Sequence, residues 1–197
     1  MKFPCSGIIL AGGLNSRFSG ENKAFAEVKG KKIIDNICDV FKDLFTEIII
    51  VTNDPLKYVE WNFNIVTDLY PARSSLTGIH AGLFFSRTPY SFITACDTPF
   101  LKKELVEFLI TNINPNIDVV LPETLQTSQP LCAVYSKQCI KPMKNSILKN
   151  NFKIQNVLKK LRVKKISENL LKKTDPDLLS FININTPEEL FFYNNHE

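Results

Sequence analysis

Residues 7 to 23 read Gly-Ile-Ile-Leu-Ala-Gly-Gly-Leu-Asn-Ser-Arg-Phe-Ser-Gly-Glu-Asn-Lys. A short apolar run opens onto a glycine pair, and Arg17 and Lys23 follow it. Ile8, Ile9 and Leu10 fit a buried strand closed by a turn, because Gly12-Gly13 lets the backbone bend sharply and come close to a ligand. The N–H groups of such a turn suit an anion. Arg17 adds a planar fork of donors and Lys23 a mobile point charge. The spacing is neither Gly-x-Gly-x-x-Gly nor Gly-x-x-x-x-Gly-Lys-Ser/Thr, and the glycine pair alone would be an ordinary turn. With both cations downstream, the segment is expected to hold a nucleotide.

Strand and helix signals alternate along most of the chain, which predicts an α/β fold with a mostly parallel sheet and helices on both faces. Ile33, Ile34, Ile37, Cys38, Phe41, Leu44 and Phe45 recur at helical spacing and mark a first crossover helix. Glu47 to Thr52 and Phe63 to Thr67 read as strands, Gly78 to Ser86 as a helix, and Ser91 to Cys96 as a buried strand. Leu101 to Asn112 is amphipathic, and Asp118 to Leu121 is a strand. Farther on, Pro130 to Tyr135 reads as a strand and Lys137 to Leu148 and Ile154 to Leu161 as helices joined by a surface turn at Lys149-Asn150-Asn151. Phe181 to Ile184 reads as a last short strand. Thr186-Pro187-Glu188-Glu189 carries a capping box with proline at the first helical position, so a terminal helix should follow.

At 197 residues one well-buried domain, residues 1–197, is the expectation. The net charge of +4 suits a phosphorylated small molecule, although a solvated surface explains the Lys159-Lys160, Lys164-Lys165 and Lys172-Lys173 pairs equally well. These lysines are not interleaved with aromatics, which argues against nucleic acid as a partner. No apolar run approaches membrane-spanning length, and the start of the chain lacks a cleavable signal pattern. The 5 cysteines form no C-x-x-C pair, and reduced thiols in a cytoplasmic protein are the natural reading. With only 2 histidines, an Asp-oriented histidine or a multi-histidine metal site is not expected.

Four groups fall at or just past strand ends: the Leu10 to Gly13 turn, Asn53, Asp68 and Asp97. Ligands of open parallel sheets sit outside the carboxyl ends of strands, so these distant residues can line one crevice. Asp97 follows the rigid run Phe92 to Cys96 and is the foremost candidate for a magnesium ligand, since Mg2+ commonly uses one or two carboxylates plus substrate phosphates. The plainer alternative is that it caps the helix after Thr98-Pro99. Asn53 and Asp68 read as turn formers as readily as ligand contacts. Cys96 is read as a buried packing residue, and His80 as a surface or packing residue and not an acid–base group.

Leu10-Ala11-Gly12-Gly13 with Arg17 and Lys23, then Ser75-Leu76-Thr77-Gly78-Ile79, Cys96-Asp97-Thr98-Pro99, Gln129-Pro130-Leu131 and Phe181-Ile182-Asn183-Ile184-Asn185-Thr186-Pro187-Glu188-Glu189-Leu190 together form a pattern. It resembles the molybdenum cofactor guanylyltransferase (MobA) family from the first strand to the last helix. The resemblance implies a Rossmann-like three-layer nucleotidyltransferase fold. It also implies transfer of GMP from GTP to the phosphate of molybdenum-molybdopterin, with release of pyrophosphate. Carried over by position, Leu10, Ala11, Gly12 and Gly13 would contact GTP, and Lys23 would meet its phosphates. Asn53 and Asp68 would hold the nucleoside, Asp97 would bind Mg2+ and face the nucleotide, and Asn183 and Asn185 would lie toward the pterin. Lys23, Arg17 and Asp97 would carry the chemistry. Molybdenum-insertion proteins and molybdoenzyme chaperones would be the protein partners.

The chain departs from the family pattern at Ser74-Ser75, where Gly-Pro is usual, at Phe18-Ser19 for Met-Gly, and at Asn22 for Asp. Two other readings stay open. A molybdopterin cytidylyltransferase would run the same chemistry on another base, although its first turn usually reads Leu-Ala-Ala-Gly. A silent nucleotide-binding scaffold would have no need of Lys23 and Asp97 together.

Overall fold

A computed structural model describes residues 4–12, 23–124 and 127–196. Its centre is a seven-stranded sheet built on β1 (Ser6–Leu10). A small hairpin follows, β2 (Glu27–Val28) with β3 (Lys31–Lys32), and then α1 (Ile33–Leu44), β4 (Ile48–Val51) and β5 (Asn64–Val66). The chain continues through α2 (Ser75–Phe85), β6 (Tyr90–Ala95), α3 (Lys103–Thr111), β7 (Val119–Glu123) and β8 (Cys132–Ser136). α4 (Ile140–Ile147), α5 (Ile154–Leu158), β9 (Val163–Ser167), α6 (Glu168–Leu171) and α7 (Pro187–Asn195) complete it.

The strand order is β5-β4-β1-β6-β8-β7-β9. β1 runs parallel to both β4 and β6, placing Ile8 beside Ile49 on one side and Ile93 on the other. β8 is antiparallel to both of its neighbours, and β9 returns parallel to β7. The mostly parallel sheet expected from the alternation is therefore present, with one reversed strand inside it. The order turns outward in both directions from β1, so the β1/β6 boundary is a topological switch point.

Successive strand residues point to opposite faces, and both faces are covered. Ile9, Ile50 and Phe92 pack with Phe41 of α1 and Leu105 of α3, whereas Ile8, Ile49 and Ile93 pack with Ile79 of α2, Met143 of α4 and Val157 of α5. Packing over β1 is close enough to require glycine on each side. A Cβ at Gly7 would lie 2.5 Å from Phe41 and Phe45 ring carbons, and one at Gly82 on α2 would lie 2.7 Å from Ile8 Cγ2.

The structure corrects several sequence expectations. Phe181 to Ile184 is not a strand: Leu179–Phe181 forms a 3-10 turn and the chain then runs irregularly. Ile184 is buried, but its N–H donates to the Asp97 carbonyl in a loop, 2.9 Å away, and not into a ladder. The last strand is β9, where Lys164 and Lys165 are exposed and Ile166 alone is buried. Lysines on an edge strand blunt further pairing and hide its period. α2 begins three residues before Gly78, because Ser74 caps it by accepting the Thr77 N–H at 3.2 Å. α4 begins at Ile140 after a 3-10 turn, and α5 ends at Leu158.

Candidate active site

The carboxyl ends of β1 and β6 are fastened together before any side chain reaches the crevice. The Cys96 N–H donates to the Leu10 carbonyl at 3.0 Å, and the Ala11 N–H to the Val51 carbonyl at 2.8 Å. The Ala11 carbonyl in turn accepts from the Thr52 hydroxyl at 3.3 Å. Leu10, Ala11 and Gly12 thus leave the sheet along a fixed path. Gly13 and Arg17 lie outside the described residues.

On the β4 side, Asn53 Nδ2 donates to Asp68 Oδ2 at 3.2 Å. Both meet the glycine turn and α2: a Cβ at Gly12 would stand 3.3 Å from Asn53 Nδ2, and one at Gly78 would stand 3.9 Å from Asp68 Oδ1. Burial raises the Asp68 carboxyl above its ordinary value, while Asn53, Thr77 and Arg73 pull the other way. Asp68 Oδ1 is buried with no hydrogen-bond partner among the described residues.

On the β6 side, Thr98 shapes the turn. Its hydroxyl donates to the Ala95 carbonyl at 2.9 Å and lies 3.1 Å from the Thr94 hydroxyl. This turn presents Asp97 at the strand end. The helix that follows begins at Lys103, so Asp97 is not its cap. Asp97 Oδ1 is buried with no partner among the described residues. Burial raises its carboxyl, the Lys23 charge lowers it, and the Glu189 charge raises it again. Lys23, at the start of a 3-10 turn, donates from Nζ to Asn185 Oδ1 at 2.9 Å.

The distant segments named from the sequence therefore fall into two neighbouring groups around the switch point. Gly12, Asn53 and Asp68 form one, and Lys23, Asp97 and Asn185 form the other. Asn183 stands apart, exposed, beside the anchored Ile184. Glu189 belongs near the second group, since its charge reaches Asp97, and the sequence marks it only as a capping residue. Its sequence signal is the capping box itself, which says nothing of a crevice. His80 is buried in α2 with Tyr70 edge-on at 5.3 Å, as a packing residue should be.

An orphaned buried carboxylate oxygen beside a lysine, at the carboxyl edge of a parallel sheet, has the chemistry to take a cation and phosphates. Among the described residues no cluster of three or more His, Cys, Asp or Glu side chains gathers to hold a metal. The donor set suits a hard ion shared with a substrate and not a closed structural site.

Comparison with known proteins decides the lineage. The model of the MobA-like NTP transferase domain matches residues 7–165. The chain belongs to that family. A MobA-like relative, the molybdenum cofactor guanylyltransferase of Desulfosudis oleivorans, is 48% identical over 185 residues, covering 94% of this chain and 92% of the relative. The probable molybdenum cofactor guanylyltransferase of Natranaerobius thermophilus is 40% identical over 190 residues, covering 94% and 92%. Among solved structures, the molybdopterin-guanine dinucleotide biosynthesis protein A of Archaeoglobus fulgidus superposes with a TM-score of 0.83 at 28% identity, covering 96% of both chains. As a MobA-like protein the chain is a nucleotidyltransferase, and the Rossmann-like architecture expected from the resemblance is the one it has.

Proposed function

We propose that this chain transfers GMP from GTP to the terminal phosphate of molybdenum-bearing molybdopterin, releasing pyrophosphate and forming the guanine dinucleotide form of the cofactor. The observation that carries this reading is the juxtaposition of Asp97 and Lys23 at the switch point, within a chain 48% identical to a molybdenum cofactor guanylyltransferase.

The acceptor phosphate oxygen attacks the α-phosphorus of GTP, the bond to the β-phosphate oxygen breaks, and pyrophosphate leaves. The acceptor is already ionised near neutral pH, so no general base is required. The protein must bring two anions together and stabilise a charged leaving group. Leu10, Ala11, Gly12 and Gly13 give the nucleotide a close backbone approach, and Lys23 and Arg17 offset phosphate charge. Asn53 and Asp68 hold the nucleoside. Asp97, with its spare buried Oδ1, would hold Mg2+ as a carboxylate ligand. The chemistry a bound Mg2+ supplies is neutralisation of charge on the triphosphate oxygens. Asn183 faces the pterin side.

Among the described residues no helix is long and apolar enough to cross a membrane. All five cysteines are free, which suits a reducing cytoplasm. Molybdenum-insertion proteins and molybdoenzyme chaperones are the partner classes that supply and receive such a cofactor.

The test uses GTP labelled at the α-phosphorus with Mg2+ and molybdenum-loaded molybdopterin. Label should appear in the pterin product while the β- and γ-phosphates leave together. Transfer from CTP in preference to GTP would overturn the guanylyl assignment.

A further inference from the structure

α7 buries none of its residues, although Leu190 and Tyr193 pack partly against the core. Its start is nevertheless tied on every side. Glu189 Oε2 accepts the Thr186 N–H at 3.2 Å, and the Thr186 hydroxyl accepts the Glu189 N–H at 3.2 Å. A capping box needs no more than that. The same Glu189 oxygen also accepts the N–H of Asn185 at 2.6 Å, one residue before the cap. Capping does not call for this bond, and its effect falls on the residue whose amide oxygen takes Lys23 Nζ.

The other flank of Asn185 is pinned as well. Ile184 is fully buried and donates its N–H to the Asp97 carbonyl at 2.9 Å. Farther upstream, the fully buried Asp175 accepts the Ser180 N–H at 2.8 Å and lies 2.8 Å from Lys102 Nζ. A partly exposed asparagine thus has a backbone with little freedom left. A lysine side chain is long and loses much rotamer entropy when it must meet a ligand. Holding it in place before the ligand arrives removes that cost from the binding step.

We propose that Glu189 is a positioning residue for the phosphate-binding lysine: it fixes the Asn185 backbone so that the Asn185 amide oxygen holds Lys23 Nζ beside Asp97. The inference rests on the proposed function for what Lys23 binds, and on geometry alone for the chain from Glu189 through Asn185 to Lys23. The Glu189 charge also reaches Asp97, whose carboxyl it raises.

The test compares Glu189→Ala, Glu189→Gln, Asn185→Ala and the double variant Glu189→Ala with Asn185→Ala in the full chain. Ala and Gln are both good helix formers, so α7 keeps its propensity in each. The first readout is the Lys23 ε-methylene resonance in the ligand-free protein. It should move in Glu189→Ala and in Asn185→Ala, no further in the double variant, and return toward wild type in Glu189→Gln, which keeps an oxygen acceptor. The second readout is the KM for GTP, expected to rise about tenfold in either single Ala variant, the order of one charge-assisted hydrogen bond. In the Asn185→Ala background, Glu189→Ala should add less than about twofold, because linked residues are not additive. A folded Glu189→Ala protein with a lowered melting temperature but an unmoved Lys23 resonance would overturn the proposal and leave Glu189 as a cap. If the resonance responds while the wild type turns over no GTP, the positioning role stands and the assigned reaction falls.

Discussion

Lys23 Nζ and Asn185 Oδ1 lie 2.9 Å apart across 162 residues of sequence. The bond joins the 3-10 turn at Lys23–Phe25 to the loop that precedes α7, and it separates two asparagines that the sequence pairs. Asn185 is bonded to Lys23, which the proposed function places on the nucleotide phosphates, whereas Asn183 is exposed. Asn185→Ala should therefore weaken GTP binding about tenfold, in keeping with loss of a hydrogen bond to a charged group. Asn183→Ala should leave GTP affinity near wild type and raise the KM for the pterin acceptor. Calorimetric titration with GTP, set beside acceptor saturation curves, separates the two. Equal loss of GTP affinity in both variants would contradict the division.

Asp97 predicts opposite effects on stability and turnover. Burial holds its carboxyl above the ordinary 3.8, with Lys23 opposing. In the window between 3.8 and the raised value, the folded protein binds more protons than the unfolded chain. Stability contributed by this group therefore falls as pH rises through the window, and at neutral pH the buried charge is a standing cost. Asp97→Asn should raise the melting temperature of the ligand-free protein. Turnover should fall by on the order of 10²-fold or more through loss of an electrostatic stabiliser, and Mg2+ should no longer add to stabilisation by GTP. Thermal melts with and without GTP and Mg2+ check the first and third, and a turnover assay checks the second.

Close packing of α2 on β1 makes Gly82 sensitive. A methyl group there would sit 2.7 Å from Ile8 Cγ2 on the central strand. Gly82→Ala should destabilise by about 1–3 kcal/mol through overpacking, more than helix propensity returns. Urea unfolding gives the number, and a neutral or stabilising result would mean that α2 can lift off the sheet.

His80 should make the fold acid-sensitive. Both ring nitrogens are buried without a partner among the described residues. Burial and then the Lys144 charge lower its pKa below the ordinary 6.5. Below that value the unfolded chain binds the proton more readily, so stability from the neutral ring is present above 6.5 and lost as pH falls toward the lowered value. Between about pH 7.5 and 5.5, wild type should lose more melting temperature than His80→Phe, which cannot titrate. Parallel losses in the two proteins would remove His80 as the source.

The central strands and α1 were legible because both sheet faces are buried, which leaves near-continuous β-branched runs such as Ile48 to Val51. The terminal helix was legible from one capping box, which forms as written. β9 was not, since its exposed Lys164 and Lys165 carry no period and its pairing with β7 is long-range. Phe181 to Ile184 misled for a related reason: Ile184 is buried as a single anchor under Asp97, and burial at one position mimics a strand. At the site, Asn53, Asp68 and Asp97 could be placed from strand ends, a rule of topology. The Glu189 bond to Asn185 could not, because an extra backbone hydrogen bond leaves no trace in residue spacing.

Formation of nucleotide-linked pterin should be followed for wild type and Lys23→Ala, with Mg2+, molybdenum-loaded molybdopterin and each nucleoside triphosphate in turn. GTP should be the productive substrate, with pyrophosphate and guanylyl-pterin formed in equal amounts, and Lys23→Ala should lower the rate by on the order of 10²-fold or more with the fold intact. Product made equally well from CTP, or by a folded Lys23→Ala protein at the wild-type rate, would contradict a guanylyltransferase built on Lys23 and Asp97.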